Sequence, residues 1–170
     1  MLKLLPILFF AAVNISQISI FEIDGIFSNG HINAIQRYVD ENDLRESNLF
    51  VIQYNASDTS ENSVTELQEL LKDIKTPKAI WVGPNETIVD AGLLKSFDYV
   101  GISPGTTIIN KLSNNEFEFL DQEGIYEGYM VVGSIGAFIE NLGSENIISN
   151  LTSLEAVSYT HLRAHETVAN

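Results

Sequence analysis

The chain has 170 residues, no cysteine and a formal net charge of −14, with 45% hydrophobic and 19% charged residues. This length and apolar share describe one globular domain, set a disordered chain aside, and exclude disulfides. The acidic field repels phosphate backbones and no basic cluster offsets it, so nucleic acid is set aside as a partner.

Met1 to Val13 (MLKLLPILFFAAV) places one lysine ahead of an apolar run from Leu4 to Val13. The run is too short to span a bilayer and fits the hydrophobic region of a signal peptide. Residues 1–17 are therefore expected to be an export signal or a hydrophobic N-terminal segment, with no clear small-x-small cleavage site. Ile18 to Ile23 has strand composition and Asp24-Gly25 reads as the turn that ends it. Ile32, Ile35 and Val39 share one helical face, with His31 at the helix start as a capping or exposed residue. Leu49 to Tyr54 (LFVIQY) is a second buried strand. Ser63-Val64-Thr65-Glu66 has the form of a capping box, and Val64, Leu67, Leu70, Leu71 and Ile74 continue it as an apolar helix face that Pro77 ends.

Ala79-Ile80-Trp81-Val82 is a short buried strand closed by Gly83-Pro84-Asn85. Asp90 opens a helical turn with Ala91, Leu93 and Leu94 behind it. Tyr99 to Ile102 is the next strand, and Pro104-Gly105 marks a turn. The alternation of strands and helices predicts an α/β domain with largely parallel pairing and right-handed crossovers. Further on, Ser113-Asn114-Asn115-Glu116 is expected to cap a brief helix ending near Gly124. Ile125 to Val132 is expected to be a strand. Ile135, Phe138, Ile139 and Leu142 form a last helical face with Gly143 as its stop.

The stretch from Trp81 to Thr106 resembles the membrane-bound ClpP-class serine protease domain of the NfeD family. The resemblance rests on Trp81, Val82 and Pro84, on Ala91 and Gly92, and on Pro104, Gly105 and Thr106. It implies a ClpP/crotonase-like superhelix of strand-helix units over residues 18–155. Glu123-Gly124-Ile125 and Gly136-Ala137-Phe138 look like the family's domain end. The family's further membrane helices and small β-barrel would then lie beyond a truncated end.

The resemblance also assigns roles. The residue before Ala-Gly is the family's serine nucleophile, and here it is Asp90. A carboxylate attacking a peptide carbonyl gives a mixed anhydride, a worse acyl carrier than an ester. An Asp at a helix start has a capping role open to it instead. The oxyanion loop is expected after Tyr54, at Asn55, Ala56, Ser57 and Asp58, where the family has a Pro-Gly-Gly turn. The segment carrying the family's general-base lysine is mostly missing. Lys111 is the only lysine after the Pro104-Gly105 turn, and Lys95 reads as a solvated position.

Ser–Lys chemistry needs a hydroxyl, a proton-accepting lysine and oxyanion donors. With all three altered, the expectation is a catalytically inactive, exported domain on the extracytoplasmic side of the membrane. It would bind a peptide or a membrane-protein partner, by strand addition for example, or assemble with its own copies. No cofactor and no metal are expected. The alternative is an active membrane-associated endopeptidase with an unrecognised nucleophile among Ser57, Ser63, Ser96 and Ser103. A third reading, an acyl-CoA-binding crotonase-type domain, lacks the basic cluster a phosphate site needs.

In the tail, His161 and His165 stand one helical turn apart with Glu166 beside them, a spacing that metal ligands use. The string VSYTHLRAHET, however, resembles translated sequencing-adapter read-through at the ends of metagenomic reading frames. Residues 156–170 are therefore read as an artefactual tail and left out of the functional argument.

Overall fold

The computed structural model describes residues 17–41, 47–59, 61–84, 87–110, 115–118, 124–126, 128–144 and 157–160. The proposed signal segment up to Ser16, Lys111, Ser113, and the tail histidines lie outside them.

In chain order the elements are β1 (Gln17–Phe27), α1 (Asn29–Glu41), β2 (Ser47–Thr59), α2 (Glu61–Asp73) and β3 (Lys78–Val82). Then come β4 (Ile88–Asp90), α3 (Ala91–Leu94), β5 (Tyr99–Ile102), β6 (Thr107–Asn110) and β7 (Asn115–Glu118). The last are β8 (Gly124–Tyr126), β9 (Tyr129–Val131), α4 (Ile135–Ser144) and β10 (Val157–Thr160). Seven strands form one sheet in the order β10-β1-β2-β3-β5-β9-β8, parallel except for the β8–β9 hairpin. A second, three-stranded sheet runs β4-β6-β7.

The apolar runs Leu49 to Ile52 in β2 and Ala79 to Val82 in β3 are continuous because a parallel sheet is buried on both faces. Side chains alternate between two cores. Phe21, Ile23, Phe50, Ile52 and Tyr54 share one core with Ile32, Ile35 and Tyr38 of α1, Leu67 and Leu71 of α2, and Leu93 and Leu94 of α3. Ile18, Ile20, Leu49, Val51, Ala79 and Trp81 face the other way, onto Phe138, Ile139 and Leu142 of α4.

One close approach sets how α4 docks. A Cβ built on Gly101 would stand 2.5 Å from Phe138 Cδ2 and 2.8 Å from Cε2. Gly101 pairs with Trp81 across β3 and β5, and the Trp81 indole N–H donates to the Val132 carbonyl at 3.3 Å, just ahead of the helix.

Several expectations are corrected. Asp24-Gly25 does not end β1. Gly25 takes φ +78, the register with β2 shifts between Gly25 and Ile26, and β1 runs on to Phe27. A glycine at positive φ serves a bulge as well as a turn. α2 begins at Glu61, so Ser63 is not its cap; its buried hydroxyl donates instead to Asn29 Oδ1 of α1 at 3.1 Å. His31 does accept the Ser28 N–H at the start of α1, at 3.4 Å, but it is buried against the Phe27 ring rather than exposed.

The helix expected from Ser113 is replaced, over its described part, by strand β7, which pairs antiparallel with β6. The single strand Ile125 to Val132 is a hairpin instead, β8 and β9, with Gly128 at φ +88. Gly143 lies inside α4 rather than ending it. β10 pairs in parallel with β1, so part of the segment read as an artefactual tail stands at the sheet edge.

Replacing Gly101 by Ala should destabilise the protein by about 1–3 kcal/mol, because the buried Phe138 ring has to move. The shift in urea midpoint relative to wild type measures this; an unchanged midpoint would show that α4 does not sit this close.

Candidate functional site

The parallel strands deliver their C-terminal ends to a group of short loops, where Gly83 and the Ser103-Pro104-Gly105-Thr106 turn stand. Gly83 follows β3, and its N–H donates to the Tyr54 carbonyl at 2.8 Å. The Ser103 N–H donates to the Val82 carbonyl at 2.8 Å, so the chain leaving β5 is tied to the end of β3. The Ser103-Pro104-Gly105-Thr106 turn follows, with Gly105 at φ +81 and the Thr106 N–H returning to the Ser103 carbonyl at 3.3 Å. Positive φ at the third position of a turn is the reason glycine follows proline there. The buried Thr106 hydroxyl lies 2.9 Å from the Gly83 carbonyl and 2.8 Å from the Ser103 carbonyl, bracing both loops.

Asp90 ends β4 and caps α3. Its backbone is extended (φ −78, ψ 128), and Oδ1 accepts the Gly92 N–H at 2.7 Å. A Cβ on Gly92 would come 2.7 Å from that same oxygen, so the small residue allows the cap to close. The Gly92 carbonyl in turn accepts from Gln68 Nε2 of α2 at 2.9 Å. β4 lies against β2, and Val89, Leu93 and Leu94 are buried on either side of the cap. The capping role expected of Asp90 is therefore the role its carboxylate has. Sequence reasoning missed Gln68, which is legible only as a polar residue beside the buried Leu67.

Residues 55–58 do not form a loop. They continue β2, with Asn55 opposite Asp24, Ala56 opposite Gly25 and Asp58 opposite Ile26. Ser57 is the extra residue of the bulge, exposed, with its hydroxyl 3.5 Å from the Gly25 carbonyl. Asn55 Nδ2 and Gln53 Nε2 both donate to Glu22 Oε1, at 3.3 and 3.2 Å. The Asn55 side chain also lies over Gly83, where an added Cβ would meet Asn55 Oδ1 at 1.9 Å. This Glu22–Gln53–Asn55 cluster was not foreseen. Its signal is the set of polar residues at alternate positions of otherwise apolar strands, on the face that α4 covers further down.

The described lysines are engaged or placed elsewhere, Lys75 being exposed just after α2. Lys78 Nζ donates to the Ile74 carbonyl at 3.0 Å and stands 3.9 Å from Asp98. Lys72 pairs with Glu69 on α2, and Lys95 is the exposed C-cap of α3. Ser96 is half-buried at the end of that helical turn, and Ser103 is buried in the Pro104-Gly105 turn. No group of three or more His, Cys, Asp or Glu among the described residues is arranged to hold a metal ion.

The fold resembles that of a solved protease. The 1510-N membrane protease specific for a stomatin homolog from Pyrococcus horikoshii superposes with a TM-score of 0.60 at 11% identity, covering 74% of this chain and 78% of that one. This chain has a ClpP-like protease fold. Two further structures of the 1510-N membrane-bound stomatin-specific protease match at lower scores. A lysine-to-alanine mutant in complex with a substrate peptide gives 0.49 at 12% identity, over 78% of this chain and 59% of that one. A serine-to-alanine mutant gives 0.48 at 13% identity, over 79% and 63%. No protein-family model and no curated protein matches the sequence. Among the described residues no helix is long and apolar enough to cross a membrane.

Because the Asp90 carboxylate caps α3, Asp90→Ala should cost about 0.5–2 kcal/mol, and Asp90→Asn, an equally good cap, should cost little. Thermal and urea unfolding of the two variants compare them; equal losses would mean that the contact is not a cap.

Proposed function

We propose that this chain is a catalytically inactive relative of the NfeD-type membrane proteases, exported, which acts by holding an extended peptide segment of a membrane-associated partner or by assembly. The observation that carries the reading is Asp90. It precedes Ala91-Gly92, where the family resemblance places a serine, and its carboxylate already accepts the Gly92 N–H at 2.7 Å. An oxygen engaged as a cap at a helix start is stabilised there and is a poor nucleophile.

Two features support the same reading. Lys72 pairs with Glu69 on its own helix, Lys78 is held by the Ile74 carbonyl ahead of β3, and Lys95 lies at the far end of α3 from Asp90. The segment aligned with the oxyanion loop is taken up in β2 pairing, and its Asn55 amide is turned to Glu22. Positioning groups without a nucleophile and base leave little rate advantage. The similar protease is specific for a stomatin homolog. By analogy, the partner proposed for this chain is a protein segment rather than a small molecule.

A fluorophosphonate probe tests the absence of an activated serine. The full chain should remain unlabelled under conditions that label a serine protease to completion. Labelling of any serine, lost on its replacement by alanine, would establish the active-endopeptidase alternative instead.

A further inference from the structure

Asn29 is the one asparagine of the chain that a glycine follows. It opens α1, and both Asn29 and Gly30 are exposed. The Ser28 carbonyl accepts the His31 N–H at 3.0 Å and the Ile32 N–H at 3.4 Å, so the hydrogen bonding of the helix begins beyond Gly30. The Gly30 N–H is one of the donors that have no partner inside a helix at its start. Gly30 is not crowded, since the nearest atom to a Cβ built there is Ser28 Oγ, at 3.6 Å. The Asn29 amide is held from the other side, where the buried Ser63 hydroxyl of α2 donates to its Oδ1 at 3.1 Å.

We propose that Asn29-Gly30 is a self-modification site, at which the folded protein loses the Asn29 amide spontaneously. The Gly30 nitrogen gives its proton to water or hydroxide and attacks Asn29 Cγ. A C–N bond forms and closes a succinimide ring. The Cγ–Nδ2 bond breaks, and the amide nitrogen takes a proton from solvent and leaves as ammonia. Water then opens the ring at either carbonyl, giving aspartate or isoaspartate. The net change is asparagine and water to acid and ammonia.

Glycine has no side chain to shield the attacking nitrogen, unlike Ala34 after Asn33 and Ser63 after Asn62. Negative charge develops on that nitrogen and on Oδ1, at the end of α1 where the helix dipole is positive. The Ser63 hydroxyl already donates to Oδ1, the atom that becomes the oxyanion, as an oxyanion donor does in acyl transfer. The backbone has to leave helical geometry for the attack, and Asn29 is the first residue of α1, where helices fray.

The products differ in what they do to the packing of α1 on α2. Aspartate at position 29 still offers an acceptor to Ser63 and suits a helix start. Isoaspartate carries the main chain through the former side chain and lengthens it by a methylene. Ser63 then loses its acceptor at that place, and the turn that buries His31 and Ile32 is displaced. α1 therefore loosens from α2 as the protein ages. This inference is independent of the peptide-holding reading above.

The test ages the full chain at mildly alkaline pH and follows each asparagine by peptide mass spectrometry, with an isoaspartyl methyltransferase to read isoaspartate. Asn29 should convert first, several-fold faster than Asn33 and Asn62, which are also exposed. Gly30→Ala, for which there is space, should all but stop the conversion, and Ser63→Ala should slow it. The aged protein should unfold at lower urea than fresh protein, and Asn29→Asp should not. Conversion of Asn29 no faster than that of Asn33 and Asn62, or undiminished in Gly30→Ala, would overturn the site. Faster conversion in Ser63→Ala would overturn the role given to its hydroxyl. An aged, isoaspartate-rich sample with the urea midpoint of fresh protein would overturn the loosening of α1.

Discussion

A parallel sheet has to be covered on both faces, and among the described residues one of them is closed by a single helix of 10 residues. That helix can approach only because β5 has no side chain at Gly101, the place where the Phe138 ring lies. Trp81, on the neighbouring strand, holds the carbonyl of Val132 just before the helix begins. The contact fixes α4 against β3 and β5, and so fixes the strands whose C-terminal ends carry Gly83, Ser103 and Thr106. With that cover in place, both sets of side chains on β1 and β2 leave water, which is the main source of stability for this architecture.

The loops at those strand ends are tied to each other rather than left open. Thr106 braces two carbonyls, Asn55 lies over Gly83, and Gln68 holds the carbonyl of Gly92. Asp90 adds a brace of its own at the start of α3. Its carboxylate accepts a backbone N–H and holds together a helix of only four residues. The serine that the family resemblance places here could cap as well. A chemical role would also depend on the company the residue keeps. Here its bonded neighbour is a backbone amide, and the described lysines stand on other elements or at the far end of the helix.

Apart from the three-residue strand β4 (Ile88–Asp90), which was not foreseen, the strand–helix alternation up to Ile102 was legible because each element there has one dominant signal. Ile32 and Ile35 repeat at helical spacing, Leu49 to Tyr54 is apolar throughout, and Asp90 precedes Ala91-Gly92-Leu93-Leu94. The misreadings share a physical cause. Gly25 and Gly128 announce positive φ, which a turn and a bulge use equally, so the local sequence does not say which one forms. Ser63 fits a capping box, but its hydroxyl is claimed by Asn29 on another helix, a tertiary contact with no local trace. The Ser-Asn-Asn-Glu run favours a helix start on local grounds, whereas the β-branched Thr107-Ile108-Ile109 ahead of it favours a strand, and pairing between β6 and β7 decides the outcome. The continuation of β2 through Asn55 to Asp58 was hidden for a similar reason, since polar residues there look like a loop until Glu22 is seen opposite to receive their amides.

We propose that a protease-like fold is kept here while a structural carboxylate stands where the family resemblance places the serine. The measurement that bears on it most directly is product analysis by mass spectrometry after long incubation of the purified full chain with a complex mixture of peptides. The account predicts no cleavage products beyond those in a protein-free control. New products that disappear when a single serine of this chain is changed to alanine would contradict it.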